Sequence, residues 1–238
     1  MNKLHILVRH NVNSPKRKKE IRPEWFSYQK CFDSLTDIHF KNDTTLSIFV
    51  DGNYNSEDFH VNFANELSYE LFNVQCGTDA SSFLTLLNYA KKKYEEHDWD
   101  ADDIVYFVED DYLHLPKWDV ILRDGIGLFK NAYVSLYDHP DKYFLPMYKE
   151  LVSKIYLGRY THWRTTPSCC NTYAMKLSTL MEDFGTHELY SLPSKTFDGY
   201  DHHKFLTLGV NGRVLVSPIR GFSTHCENNL ISPFFNIK

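Results

Sequence analysis

The 238-residue chain has no run of about 18 apolar residues, so its sequence offers nothing long enough to cross a membrane as a helix. Positive charge is short as well. There are 26 Lys and Arg against 31 Asp and Glu, a net charge of −5, and only KRKK at 16–19 concentrates the base. A nucleic-acid binder draws much of its affinity from basic side chains on phosphates, so that class of partner is not expected. Cysteines are few and odd in number: five, with Cys169 and Cys170 adjacent and no second pair at zinc-ligand spacing. That leaves neither a disulfide framework nor a structural zinc site, and it fits a reducing compartment. Internal repeats, low-complexity tracts and Gly/Ser linkers are missing too. The expectation is one domain over residues 1–238, soluble and cytoplasmic. The opening MNKLHILVRH breaks its short apolar run with His5 and Arg9, which suits a first strand and not a signal peptide.

What is present is a globular composition, 42% apolar and 24% charged, with aromatics at 16%. Strand-like runs recur as LHILV (4–8), TLSIFV (45–50), IVYFV (104–108), YVSLY (133–137) and RVLVSP (213–218). The first three do not alternate cleanly, as expected of strands covered on both faces. Helical patterns are predicted over 22–37, 56–71 and 78–96, and later over 178–189 and 198–209. Strand and helix in turn predict an α/β fold with a mostly parallel, Rossmann-like central sheet in a three-layer α/β/α sandwich. Residues 138–172 carry aromatics, His and Arg but few clear strands, and are expected to form loops and short helices.

Ligands of such folds gather beyond the carboxyl ends of the strands. Asp51 and the triplet Glu109, Asp110 and Asp111 occupy such ends. The triplet is the most informative feature: DDIVYFVEDDYLHLPKW (102–118) drives an apolar strand straight into three acids. A strand fixes the backbone beneath them, so the carboxylates converge instead of splaying. With no Cys partner they suit a hard or borderline divalent ion, Mg²⁺ or Mn²⁺, of the kind that carries substrate phosphates.

This strand with its acidic triplet resembles nucleotide-sugar glycosyltransferases of the GT-A fold, family 2-like and of the D-x-D type. RPEWFSYQKCFDSL (22–35) is similar to their Arg-Pro-led first helix, and TLSIFVDG (45–52) to their second strand. TFDGYDHHKFLTLGVNGRVLVSP (196–218) is similar to their late acid-rich helix and following strand, and GFSTHCE (221–227) to the segment that supplies a further metal ligand. The likeness runs over most of the chain in the right order and is weakest over 138–195. Two features depart from the pattern: the triplet begins with Glu, and the loop RHNVNSPKRKKEI (9–21) is longer and more basic.

The resemblance implies a GT-A-like domain with a nucleotide-sugar-binding half (1–111) and an acceptor-binding half (112–238). It implies Mn²⁺ or Mg²⁺ and a nucleoside-diphosphate sugar, with transfer to a hydroxyl acceptor in glycan or polysaccharide synthesis. Asp111 and His225 would hold the metal; Glu109 and Asp110 would meet the donor's ribose and diphosphate. Asp51 would contact the base or ribose, and Arg9 and Arg22 the phosphates. Asp198 or Asp201 would take the acceptor's proton. Trp163 and Arg164, in HWRTTPSCCNTYAMK (162–176), fall in an acceptor loop where an aromatic can stack on a sugar. Such enzymes often work at a membrane surface, so peripheral attachment is compatible with the chain. Two other classes share these residues: a metal-dependent phosphoesterase or nucleotidyltransferase, and a non-catalytic nucleotide- or carbohydrate-binding module of the same fold.

Overall fold

A computed structural model describes residues 2–11, 21–52, 68–192 and 200–235. The chain opens with β1 (Leu4–Asn11), α1 (Tyr28–Thr36), β2 (Thr44–Asp51), β3 (Tyr69–Val74) and α2 (Asp79–Glu95). Then come β4 (Ile104–Glu109), β5 (Tyr112–His114), α3 (Trp118–Ile126), β6 (Ala132–Val134) and α4 (Asp141–Phe144). The hairpin β7 (Ile155–Leu157) and β8 (His162–Thr165) precedes β9 (Tyr173–Lys176), α5 (Leu177–Glu182) and α6 (Phe184–Leu189). α7 (Tyr200–Val210), β10 (Val214–Pro218) and β11 (Ser223–His225) complete the described elements.

Nine strands form one sheet in the order β3-β2-β1-β4-β9-β6-β10-β8-β7, and β5 pairs with β11 in a separate ribbon. Within the large sheet only β9 and β8 run against the other strands, so it is mostly parallel. The unalternating apolar strands have the expected cause. Ile6, Val8, Tyr106 and Val108 pack on one face with Phe32, Leu35, Trp118 and Leu122 of α1 and α3. Leu7, Phe49, Val105 and Phe107 pack on the other with Phe83, Leu86 and Leu87 of α2 and with Leu180 and Phe205. Each buried Leu, Ile or Phe contributes about 1.5–3 kcal/mol, so both faces are firmly committed.

The helix ends have local causes. Ser27 caps α1 by accepting the Lys30 N–H at 3.1 Å, so the helix begins there and leaves Arg22 to Phe26 in the approaching chain. Thr78 caps α2 in the same way through the Ser81 N–H, at 3.1 Å.

Several sequence expectations are corrected. The helix expected over 56–71 does not reach its end: residues 69–71 belong to β3, parallel to β2, and 56–67 lie outside the described residues. β9 was not foreseen. It is four residues long, without a β-branched side chain, and it is slotted antiparallel between β4 and β6. The pattern over 178–189 is two short helices that meet at Asp183. The 138–172 region also supplies β7 and β8 to the sheet.

Candidate active site

Parallel pairing brings the carboxyl ends of β1, β2 and β4 to one edge, with Arg9 opposite Glu109 and Asn11 opposite Asp51. There the side chains enclose a cavity of about 410 Å³ lined by Arg9, Arg22, Glu109, Asp110, Asp111 and His225, among others. Gly77 and Thr78, at the start of α2, form its opposite wall, and Gly77 takes a left-handed φ of 73° that a side chain would strain.

Arg9 is buried and its guanidinium is shared, Nη1 lying 2.5 Å from Asp79 Oδ1 and Nη2 2.5 Å from Glu109 Oε1. Burial works against its charge, but Asp79 and Glu109 outweigh this and hold Arg9 firmly protonated. Glu109 experiences the opposite balance: burial, then the neighbouring Asp111 and Asp79 charges, raise its carboxyl above the usual range despite Arg9. Thr172 fixes it further, its hydroxyl accepting the Glu109 N–H at 3.2 Å and donating to Oε2 at 3.3 Å. Asp110 lies 2.5 Å from His10 Nδ1 through its Oδ2.

Asp111 meets two basic side chains through one oxygen. Its Oδ2 lies 2.9 Å from Arg22 Nη2 and 3.0 Å from His225 Nε2. Burial alone would raise its pKa, yet His225 and Arg22 together hold it well below the carboxylate range. His225, buried too, is raised above its ordinary value because Asp111 outweighs the cost of desolvation. The β5–β11 ribbon makes this meeting possible, since it pairs His225 with Tyr112 and stacks the two rings 5.1 Å apart. The Cys226 N–H donates to the Asp111 carbonyl at 2.9 Å, and the Cys226 carbonyl accepts from Arg22 at 3.0 Å.

One residue on, Glu227 Oε1 stands 3.6 Å from His225 Nε2. Asp111, His225 and Glu227 each offer one ligand atom, all within 4.8 Å of one another. Glu227 went unnoticed in the sequence, although an extended chain turns alternate residues to one side and so pairs it with His225. Asp79 was missed for a different reason: in the sequence it is an ordinary first-turn acid of a helix.

The other expected residues are placed as follows. Asp51 is buried behind the cavity, where its Oδ1 accepts the Cys76 N–H at 2.7 Å and its Oδ2 has no hydrogen-bond partner among the described residues. Asp201 opens α7 half-buried, with its Oδ1 3.2 Å from Lys204 Nζ. Asp198 and the KRKK run lie outside the described residues. His202 Nδ1 is 3.2 Å from both the Tyr148 hydroxyl and Ser168 Oγ.

Trp163 does not face an acceptor. It is fully buried, and its indole N–H donates to Asp124 Oδ2 at 3.0 Å. Gly125 and Gly158 press against the ring so closely that a Cβ at either would fall 2.5 Å from one of its atoms. Arg164 pairs with Asp138, its guanidinium 5.6 Å from the Tyr143 ring centre, away from the acids of the cavity.

No protein-family model matches the chain, and no curated protein does. Solved structures do. S. aureus TarS aligns over 93% of this chain and 36% of its own, with a TM-score of 0.58 at 13% identity. TarS 1–349 in complex with UDP aligns over 90% of this chain and 57% of its own, with a TM-score of 0.55 at 13% identity. The chain therefore spans between about a third and three-fifths of these relatives. At such identity the likeness is one of fold, and the fold class is GT-A-like α/β with a large, mostly parallel sheet. Among the described residues no helix is long and apolar enough to cross a membrane.

Proposed function

We propose that the chain is a metal-dependent glycosyltransferase that moves a sugar from a nucleoside-diphosphate donor to a hydroxyl acceptor. The observation that carries this reading is the meeting of Arg9, Arg22, the 109–111 acids and His225 in one cavity at the carboxyl ends of parallel strands. Its volume, about 410 Å³, is within the range of sites that bury a small organic ligand. The UDP held by a solved structure of the same fold supports a uridine diphosphate donor.

Asp111, Glu227 and His225 fit a metal by their chemistry: two carboxylates with one imidazole suit Mn²⁺, and Mg²⁺ less well because of the nitrogen. Held by these three residues, a divalent ion would supply positive charge to the departing diphosphate. Arg22 and Arg9 are cations that line the same cavity, where the donor's phosphates would be held. Asp51, buried behind Asn11 with one unpartnered oxygen, would meet the base or ribose only if the donor reached past the cavity wall. In the transfer, the acceptor oxygen bonds to the anomeric carbon and the bond from that carbon to the diphosphate breaks. The acceptor's proton goes to a carboxylate, for which Asp198 and Asp201 are the candidates.

A thermal-shift series with UDP, GDP, CMP and dTDP, each with and without Mn²⁺, tests the donor half of the reading. A ligand that binds only the folded chain at a hundred times its Kd adds about 2.7 kcal/mol. The expected outcome is a rise in melting temperature for UDP that requires the metal. The same melt with and without every nucleotide would overturn it.

A further inference from the structure

Lys204 is an unusual residue to find where it is. It lies one turn into α7 and is 1% exposed. A lysine is rarely buried so completely, because desolvating its ammonium is costly unless partners surround it. Here they do. Nζ donates to Asn171 Oδ1 at 2.6 Å and to Asp201 Oδ1 at 3.2 Å. It also faces three aromatic rings, with centroids at 4.8 Å for Phe83, 4.8 Å for Tyr173 and 5.4 Å for Phe205.

If packing were the only need, an apolar residue of the same length would meet it as well, since buried ion pairs seldom outdo well-packed hydrophobic side chains. The cation has a specific neighbourhood. Phe83 is shared with Arg9, whose guanidinium lies 5.8 Å from the same ring. Asn171, which anchors Lys204, is followed by Thr172, which bonds Glu109 through both its backbone N–H and its carboxylate. The Lys204–Asp201 pair is thus tied through two adjacent residues to the first acid of the triplet.

We infer that Lys204 is a positioning residue: it holds Oδ1 of Asp201 and so presents Oδ2 to the acceptor, which makes Asp201, and not Asp198, the proton acceptor. This rests on the transferase reading above. Asp201 has the exposure the role requires, its side chain being 31% exposed while that of its lysine partner is 1% exposed. The two sit at i and i+3 on one helix, so the geometry is set by the helix itself.

The test is a double-mutant cycle on the full chain, with Mn²⁺ and whichever UDP-sugar the unsubstituted chain turns over, read as UDP released in the presence of a soluble glycan acceptor. Lys204→Met keeps the length of the side chain among the three rings, and melting curves check that it folds. Loss of the base in Asp201→Asn should lower kcat by about 10²–10⁴-fold. Misplacing it in Lys204→Met should cost about 10²-fold in kcat, with the donor KM unchanged. Since Lys204 acts through Asp201, adding Lys204→Met to Asp201→Asn should cost nothing further. A full kcat in Lys204→Met, or an equal further loss in the Asp201→Asn background, would overturn the inference while leaving the transferase reading intact. No release of UDP by the unsubstituted chain from any UDP-sugar would overturn both.

Discussion

At the scale of single residues, the site is a set of buried charges that neutralise one another. Arg9 is the clearest case, since it separates two carboxylates that would otherwise repel. Removing one partner of a buried ion pair strands the other, at a cost of about 3–5 kcal/mol. Asp79 is largely exposed and its share is screened, so Arg9→Met is expected at the lower end, about 3 kcal/mol, read from the urea midpoint. An unchanged midpoint would show that Glu109 needs no counter-charge.

His114 supplies a pH dependence that is independent of the acids. Burial pushes its imidazole down from 6.5 to about 3, while its Nε2 lies 2.9 Å from the Tyr106 hydroxyl. Above pH 6.5 the ring is neutral in both folded and unfolded chains. Below it the unfolded chain takes up a proton that the folded one refuses, so the contribution to stability is lost as pH falls toward 3. Between pH 7 and pH 5 this amounts to about 2 kcal/mol. His114→Gln, which can keep the bond to Tyr106, should lose about 2 kcal/mol less than the unsubstituted chain over that interval, measured by urea unfolding at both pH values. Parallel losses in the two proteins would contradict the assignment.

At the scale of elements, caps and close packing decide where the site residues stand. Ser27→Ala removes the cap that starts α1 and should cost about 1 kcal/mol. Gly125→Ala drives a methyl into the Trp163 ring and should cost about 1–3 kcal/mol, with no change in nucleotide binding, because that tryptophan belongs to the core. A loss of nucleotide binding with unchanged stability would return Trp163 to a ligand role.

The same scale shows what was legible in the sequence. β1, β2, β4 and α2 were readable because each is long, strongly patterned and covered on both faces or properly capped. The acidic triplet was readable because a strand delivers it. β9 was not: of its four residues only Tyr173 favours a strand, and it is the gap between β4 and β6 that makes a strand of them. Trp163 was expected to be a sugar platform because 162–176 resembles an acceptor loop, and its burial under Gly125 and Gly158 is a tertiary fact. Glu227 stands only two residues from His225, but the acid they meet, Asp111, lies 114 residues from that histidine, and the Asn171 partner of Lys204 lies 33 residues back, distances that no local pattern spans.

At the scale of the whole molecule, a mostly parallel sheet gathers acids and arginines at one edge, and the β5–β11 ribbon folds the last described elements back over them. Residues far apart in sequence, Arg9, Arg22, Asp111 and His225, then share one cavity. The net charge of −5 sets no long-range attraction for an anion, so the proposed donor would be held by these local cations together with the proposed metal. The most direct measurement is the release of UDP from a panel of UDP-sugars by the purified chain, with Mn²⁺, with chelator, and in the Asp111→Asn variant. The account predicts release with Mn²⁺ that chelator abolishes and that falls at least a hundredfold in Asp111→Asn. Release that is equal in all three conditions would contradict it, and so would none in any of them.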